Sequence, residues 1–161
     1  MTISPTPTSP ATLPLKYLDR NGVVDLIHAF YADVRSDPLL GPIFGEVIQD
    51  DWETHLARMV EFWSTIMLGS RSFKGNVYGK HVELGQRLPV RPEHFFRWLT
   101  LWNKHTSGRF VRDIAQDMQT TAQGIGRNLF YGFFGEFALF RQEDGVVVGY
   151  EADLSARPPA R

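Results

Sequence analysis

The chain has 161 residues, 43% of them apolar and 22% charged, which fits one domain with a hydrophobic core and excludes a multidomain enzyme or a wholly disordered chain. A net charge of −1 offers no basic excess for nucleic acid or anionic lipid, and the absence of cysteine excludes disulfides, thiolate metal sites and iron–sulfur clusters. The 12 Phe, 5 Tyr and 4 Trp residues either fill a core or line a pocket for a flat apolar ligand.

The N-terminal segment is rich in helix-breaking and polar residues. Residues 1–14 contain four prolines, four threonines and two serines, so we predict a flexible leader over residues 1–15. The segment has no basic region followed by an apolar stretch, as a signal peptide would have, and no window of the chain reaches about 18 uninterrupted apolar residues. These patterns predict a cytoplasmic protein with no membrane partner.

Helical periodicity begins at Asn21 and predicts a helix over residues 21–36. The Asp37-Pro38 pair should end it, because a residue before proline avoids the helical region. Two prolines and a glycine in residues 38–44 then predict a short helical corner or turn. One side of this first helix carries the apolar residues Val23, Ile27, Phe30, Tyr31 and Val34.

The clearest periodic segment predicts a helix over residues 50–69. Asp50 and Glu53 have the spacing of a capping box, and Gly69 supplies a stop signal. Residues 69–77 then predict a loop. The apolar residues spaced for one face of this helix are Trp52, Leu56, Met59, Trp63 and Ile66.

Three further helical segments follow. A short turn over residues 78–84 carries His81, a helix starts at Pro92 and runs to about Thr106, and a long helix covers residues 110–134.

Two glycines interrupt the long helix, and a hairpin is predicted after it. Gly124 and Gly126 each cost roughly 1 kcal/mol of helix propensity, which predicts the close approach of another backbone or of a ligand edge. Around Asp144-Gly145, two short apolar runs predict the hairpin.

Several common catalytic motifs are missing from the sequence. It has no Glu-x-x-His, no His-Glu-x-x-His, no Gly-x-x-x-x-Gly-Lys and no Gly-x-Ser-x-Gly. These absences argue against a di-iron bundle, a zinc protease, a P-loop NTPase and an α/β-hydrolase. What remains is an aromatic-rich helical domain with five histidines.

Two of these histidines have settings that suit a cofactor. His55 borders the apolar stripe of its predicted helix, and His81 lies on the short segment between loops. A metal with one axial histidine and a broad apolar body needs such a residue facing a hydrophobic slot. The alternative is a boundary histidine with a satisfied hydrogen bond, which is the commoner arrangement.

The order of several fragments carries more information than any one of them. The chain reads LIHAFYADVRSDPLLGPIF, then DWETHLARMVEFWSTIMLGSRSFKGN, then GKHVEL, then EHFFRWLTLW. From about Val23 to Phe134 this series resembles the truncated haemoglobins, specifically group III. The resemblance implies an all-α truncated globin domain over residues 16–135 that encloses a non-covalent haem b between packed helices. It leaves residues 136–161 as a C-terminal extension of unknown role.

The resemblance also implies roles for individual residues. His81 would be the proximal ligand of the haem iron, while Tyr31, His55 and Trp98 would face the bound gas. Gly79, close before His81, departs from the expected approach and would loosen the proximal helix. The remaining residues expected around the haem are Phe44, Met59, Phe62, Trp63 and Leu84, with Arg58 or Lys80 reaching a propionate.

The chemistry of the distal pair agrees with these roles. The Tyr31 hydroxyl and the Trp98 indole N–H can both donate hydrogen bonds to a bound diatomic gas. At roughly 0.5–1.5 kcal/mol for each neutral bond, they would slow gas release. Without the family resemblance, both would be read as core aromatics, as Trp52 and Trp102 are.

Three functions stay open at this point. The first is reversible binding of O₂, NO or CO by a monomer or weak dimer. The second is a haem enzyme for nitric oxide dioxygenation or peroxidase-like chemistry, served by an external reductase. The third is a haem-free helical interaction module in which every aromatic residue is simply core.

Overall fold

The computed structural model describes residues 13–155, and most of the predicted leader therefore lies outside the described residues. Leu15, assigned to that leader, is instead tied to the domain: its N–H donates to the Arg109 carbonyl at 2.8 Å, and its carbonyl accepts from the Val111 N–H at 2.9 Å. The elements are α1 (Arg20–Ser36), α2 (Leu40–Ile48), α3 (Trp52–Leu68), α4 (Val77–Gly85), α5 (Pro92–Arg109), α6 (Arg112–Phe134), β1 (Ala138–Glu143) and β2 (Val146–Ala152).

Local sequence signals set most of the helix ends. Asp19 caps α1 because its Oδ1 accepts from the Gly22 N–H at 2.8 Å, and Pro92 is the first residue of α5, as predicted. Gly69 ends α3 with a φ of 69°, which confirms the predicted stop. The predicted capping box of Asp50 and Glu53 is wrong, since Asp51 is the N-cap and no side chain caps this helix.

Gly79 has a structural use that the sequence did not reveal. Asn76 caps α4 by accepting from the Gly79 N–H at 2.9 Å. A Cβ atom on Gly79 would lie 2.5 Å from the Asn76 side-chain nitrogen, so only glycine leaves room for the cap. The glycine therefore secures the start of α4 rather than loosening it.

The corner after α1 is longer than predicted. Instead of a turn within residues 38–44, α2 continues to Ile48 and ends at Gln49, whose φ of 55° belongs to the left-handed region. Asp37 stabilises the start of α2, because its carboxylate accepts from the Leu39 and Leu40 N–H groups and from Arg97 Nε at 2.7 Å.

The core lies where α1 packs against α3 and α5. Trp63 and Trp102 stack at 4.3 Å between ring centroids, and the Trp102 indole N–H donates to the Met118 carbonyl at 3.1 Å. Ile66 departs from the predicted stripe, since it is 41% exposed near the end of α3. The fully buried residues of α1 are Val23, Leu26, Ile27, Phe30 and Val34.

The two glycines of α6 differ from each other. A Cβ atom on Gly126 would lie 3.3 Å from the Phe140 ring, so a close approach exists there, although to a side chain of the hairpin. Nothing lies within 4 Å of the corresponding position on Gly124, and the prediction of a close approach is wrong at that residue.

The predicted hairpin is confirmed after α6. β1 and β2 pair antiparallel, with Phe140 opposite Tyr150, and Asp144 and Gly145 form the turn with φ values of 49° and 81°. The hairpin packs on α5 and α6, and the architecture is otherwise helix on helix. Within residues 13–155, no helix is both long enough and apolar enough to cross a bilayer.

Candidate functional site

A single cavity gathers the residues that the sequence singled out. Its volume is about 460 Å³, within the usual range of ligand pockets, and residues of all six helices line it. All of the predicted site residues line it, namely Tyr31, Phe44, His55, Arg58, Met59, Phe62, Trp63, Lys80, His81, Leu84 and Trp98.

Tyr31 is the centre of an aromatic cluster on the side of the cavity formed by α1 and α3. Its ring packs edge-on against Phe44 at 6.1 Å and against His55 at 5.1 Å between centroids, and only 4% of the residue is exposed. Burial raises the pKa of Tyr31 well above its usual value, and the Trp98 side chain near the hydroxyl partly offsets the rise. The Tyr31–Trp98 contact falls short of hydrogen-bond geometry. Tyr31 is therefore a neutral phenol that keeps its proton available for donation.

Trp98 reaches the cavity from α5 with its ring supported from behind. Its ring lies nearly parallel to that of Trp102, at 11° and 6.4 Å between centroids, and Phe30 packs edge-on at 6.1 Å. Trp102 in turn stacks on Trp63. This sequence of rings limits how far the Trp98 indole can tilt without disturbing the core.

His55 has a polar atom that finds no partner among the described residues. Its Nε2 is buried and makes no hydrogen bond, and the ring packs edge-on against both Tyr31 and Trp52. Burial lowers the pKa of His55 to about 4, and smaller contributions come from His81, when it is protonated, and from the Arg58 guanidinium. The imidazole is therefore neutral near pH 7, and its free nitrogen marks a place where a ligand could supply the missing bond.

His81 lies on α4 with its tautomer fixed by the backbone. Nδ1 is 2.7 Å from the Val77 carbonyl, and because a carbonyl only accepts, Nδ1 carries the proton. Nε2 then keeps its lone pair, and burial lowers the pKa of the ring, which favours the neutral form. A neutral imidazole with its other nitrogen bound to a carbonyl is the usual arrangement for a metal-ligating histidine.

His94 is a third histidine of the cavity, and sequence reasoning missed it. It is 9% exposed at the start of α5, where its Nδ1 accepts from the Arg91 N–H at 2.9 Å. The proton of the neutral ring is then on Nε2, so His94 is suited to donate a hydrogen bond and His81 to coordinate a metal. Its position three residues after Arg91, at a helix start marked by Pro92, was the available signal.

Two cationic residues line the edge of the cavity. Arg58 and Lys80 are exposed, and the Arg58 guanidinium lies 5.3 Å from the centroid of the Phe73 ring. Phe73 belongs to the loop after α3, where no periodicity marked it. Further lining residues outside the predicted set are Ile43, Val47, Phe95, Leu129 and Phe133.

This arrangement fits the haem that the sequence resemblance implies. The walls are mainly apolar and aromatic, as a flat macrocycle requires. Two histidines with uncommitted nitrogens, His55 and His81, reach the cavity from different helices, α3 and α4. Arg58 and Lys80 supply positive charge for carboxylates at the edge.

The chain is similar to known proteins in both sequence and structure. No protein-family model matches the chain. The group 3 truncated hemoglobin ctb of Campylobacter jejuni is 29% identical over 125 residues, a match that covers 73% of this chain and 95% of that relative. A crystal structure of group III truncated hemoglobin from Campylobacter jejuni matches with a TM-score of 0.67 and 27% identity, covering 76% of this chain and 96% of that one.

Proposed function

Because the chain has the sequence pattern and the fold of the group III truncated haemoglobins, we propose that it holds haem b in the cavity and reversibly binds O₂ or another diatomic gas there. The globin relationship supports the general role of binding haem and gas. The observation that carries the specific proposal is the His81 tautomer: Nδ1 is committed to the Val77 carbonyl, which leaves Nε2 free for the iron.

His81 supplies the bond from protein to metal in this proposal. Bound haem would supply an iron with one open coordination position at which a diatomic gas binds. The Val77 carbonyl holds the His81 ring in one orientation and raises its basicity as a ligand. Asn76 and Gly79 secure the helix start from which Val77 makes this bond.

Tyr31 and Trp98 are the proposed donors to the gas. The raised pKa of Tyr31 keeps its hydroxyl protonated, and an indole N–H can only donate. Two neutral donors would together stabilise the bound gas by about 1–3 kcal/mol. His55, neutral and adjacent to the Tyr31 ring, offers a further polar contact through its unpartnered Nε2.

The remaining predicted residues would enclose and anchor the cofactor. Phe44, Met59, Phe62, Trp63 and Leu84 exclude water from the cavity, which strengthens each polar contact inside it. Arg58 and Lys80 would pair with the haem carboxylates. Since both are exposed, each pair would be worth about 0–1 kcal/mol, so these residues orient the cofactor more than they retain it.

The proposal includes an assignment of the chain's parts. Residues 16–135 would form the gas-binding domain, and residues 136–161 a separate addition to it. O₂, NO and CO are the expected ligands, and an external reductase would keep the iron ferrous.

Absorption spectra test the proposed function directly. Purified protein titrated with haem should develop an intense Soret band, and its ferrous form should change spectrum with CO. A protein that stays colourless with unchanged helicity would contradict the proposal and favour the interaction module. Following NO consumption and peroxide turnover with a reductant would separate a gas carrier, which shows a single turnover, from a haem enzyme.

A further inference from the structure

The C-terminal hairpin lies outside the part of the sequence that resembles the truncated haemoglobins. The structural match covers 96% of the relative's chain but only 76% of this one, and residues after about Gly135 fall outside the sequence resemblance. Among residues 13–155, no hairpin residue lines the cavity, yet the hairpin packs on α5 and α6, which both do. It therefore contacts the walls of the site from behind.

An apolar contact joins the hairpin to both helices. The Phe140 ring lies against Gly126 of α6 and packs edge-on with Phe96 of α5 at 6.3 Å between centroids. Tyr150 packs on Phe130 of α6 at 4.6 Å. Gly126 itself lines the cavity, so the hairpin ring is separated from the site by the thickness of one backbone.

Two polar side chains of α5 attach this helix to the hairpin. Thr100 Oγ1 accepts from the Val147 N–H at 2.9 Å while donating to the Phe96 carbonyl at 2.7 Å. Asn103 is 3% exposed, and its Nδ2 donates to Gln142 Oε1 at 3.0 Å and to the Gly145 carbonyl at 2.9 Å. These bonds are directional, so they fix the rotation of α5 as well as its distance from the hairpin.

The attached face of α5 is opposite to Trp98. At about 100° per residue, Phe96, Thr100 and Asn103 form one stripe, and Trp98 lies roughly 140–160° away from each of them around the helix axis. A side-chain atom about 5–6 Å from the axis moves by about 1 Å when the helix rotates by 10°. A displacement of that size is enough to make or break a hydrogen bond.

We propose that the hairpin is a brace that sets the rotation of α5 and thereby positions the Trp98 indole in the cavity. Thr100 and Asn103 are positioning residues in this device. The consequence for gas release rests on the proposed function, whereas the placement of Trp98 is a property of the fold alone. The two can therefore be tested separately.

The first experiment compares Thr100→Val with Thr100→Ser in the full-length chain. Valine keeps the shape of threonine but removes the acceptor for Val147, and serine restores it. Acrylamide quenching of Trp98 fluorescence is measured without haem, with the Trp98 signal obtained by subtracting Trp98→Phe made in each background. We expect quenching of Trp98 to rise in Thr100→Val and to stay at the wild-type level in Thr100→Ser.

The second measurement uses the haem-loaded protein. If Trp98 loses its position, O₂ should dissociate about two- to tenfold faster in Thr100→Val, the effect of weakening one neutral hydrogen bond, and at the wild-type rate in Thr100→Ser. A wild-type protein that binds no haem would contradict the proposed function, while the quenching experiment would still decide the brace.

Two results would overturn the brace. One is a lower melting temperature in Thr100→Val with unchanged Trp98 quenching, which would mean that the hairpin only stabilises the fold. The other is equal quenching of Trp98 fluorescence in Thr100→Val and Thr100→Ser. Should Thr100→Val fail to fold, Gln142→Ala removes one acceptor of Asn103 from an exposed position, with the neighbouring exposed Glu143→Ala as control. Unchanged quenching in Gln142→Ala would then refute the proposal.

Discussion

The two walls of the cavity are built differently. The wall that would face the gas carries Tyr31, Trp63 and the supporting Trp102, which are 4%, 2% and 0% exposed and belong to the main core. The wall that would bind the iron is α4, which has no buried residue and packs chiefly on α6. The geometry of the first wall is therefore set by the protein core, whereas α4 depends on one main neighbour and on partly buried residues, and would gain most from a bound cofactor.

The contacts of α4 explain this dependence. Glycines of α6 and α4 allow the two helices to approach: a Cβ atom on Gly132 would lie 2.9 Å from Val82, and one on Gly85 would lie 2.7 Å from Phe133. Such close packing aligns α4 but buries little apolar area. A cofactor bound through His81 would supply the missing attachment.

Removing the proposed iron ligand should have the largest effect. In His81→Ala, haem retention should be lost or strongly reduced while the helicity of the haem-free protein stays unchanged, because α4 contributes no buried residue. The Soret band after gel filtration measures retention. His28→Ala, an exposed histidine of α1, is the control and should retain haem fully. Equal retention in both variants would refute the assignment of His81.

The next largest effect is a difference in the free energy of unfolding between truncations in the two walls. Trp102→Ala should lower the free energy of unfolding by about 3–5 kcal/mol, since it leaves a cavity in the core and the Met118 carbonyl without its donor. Val82→Ala on α4 should cost about 1 kcal/mol, because Val82 is only half-buried. Urea unfolding of the haem-free proteins measures both, and equal losses would contradict the difference between the walls.

Acid should destabilise the folded chain through His55. Its pKa is about 4 in the folded chain against an ordinary 6.5, so between these values only the unfolded chain takes up the proton. The stability that the chain gains from a neutral His55 is full above pH 6.5 and is lost as the pH falls towards 4. Urea midpoints of haem-free protein should therefore fall less steeply with pH in His55→Gln. His81, whose pKa burial also lowers, keeps some slope.

The control for this titration is Thr54→Ala, an exposed neighbour on α3 without an ionisable group. Its pH dependence should match that of the wild type. If His55→Gln also matched the wild type, the burial of a neutral His55 would not be a source of the acid sensitivity.

The smallest expected effect is that of single gas donors. Tyr31→Phe and Trp98→Phe should each speed O₂ dissociation by about 2- to 12-fold, the range of one neutral hydrogen bond of about 0.5–1.5 kcal/mol. Stopped-flow displacement of O₂ by CO measures the rate. Tyr78→Phe is the control, since it removes a hydroxyl from α4 that does not line the cavity, and it should leave the rate unchanged. Dissociation at the wild-type rate in Tyr31→Phe and Trp98→Phe would refute the donor roles.

The spacing of apolar residues predicted helices correctly where a single apolar face of the helix is buried. It identified α1 and α3, but it also predicted a buried Ile66, which is 41% exposed in the last turn of α3. The Asp50 capping box failed because Asp51, one residue later, takes the N-cap position. Gly124 and Gly126 look alike in sequence, and only the packing of Phe140 distinguishes them.

The candidate site was predictable to the extent that a family resemblance orders its residues. All eleven predicted residues line the cavity, although no local rule would have separated His55 and His81 from His94. What distinguishes these histidines is the partner of each ring nitrogen: the Val77 carbonyl for His81, the Arg91 N–H for His94, and none for His55 Nε2, and only the folded structure shows this. The attachment of the hairpin to Thr100 and Asn103 likewise joins residues about 40–50 positions apart, beyond any local pattern.

The dependence of α4 on α6 has a consequence for the order of events during synthesis. Roughly 50 residues separate the end of α4 from the end of α6, and at about 5–20 residues per second they take about 2–10 s to translate. Until Phe134 has left the ribosome, the helix that carries His81 lacks its main packing partner. We therefore expect cofactor loading through His81 to begin only after α6 has emerged.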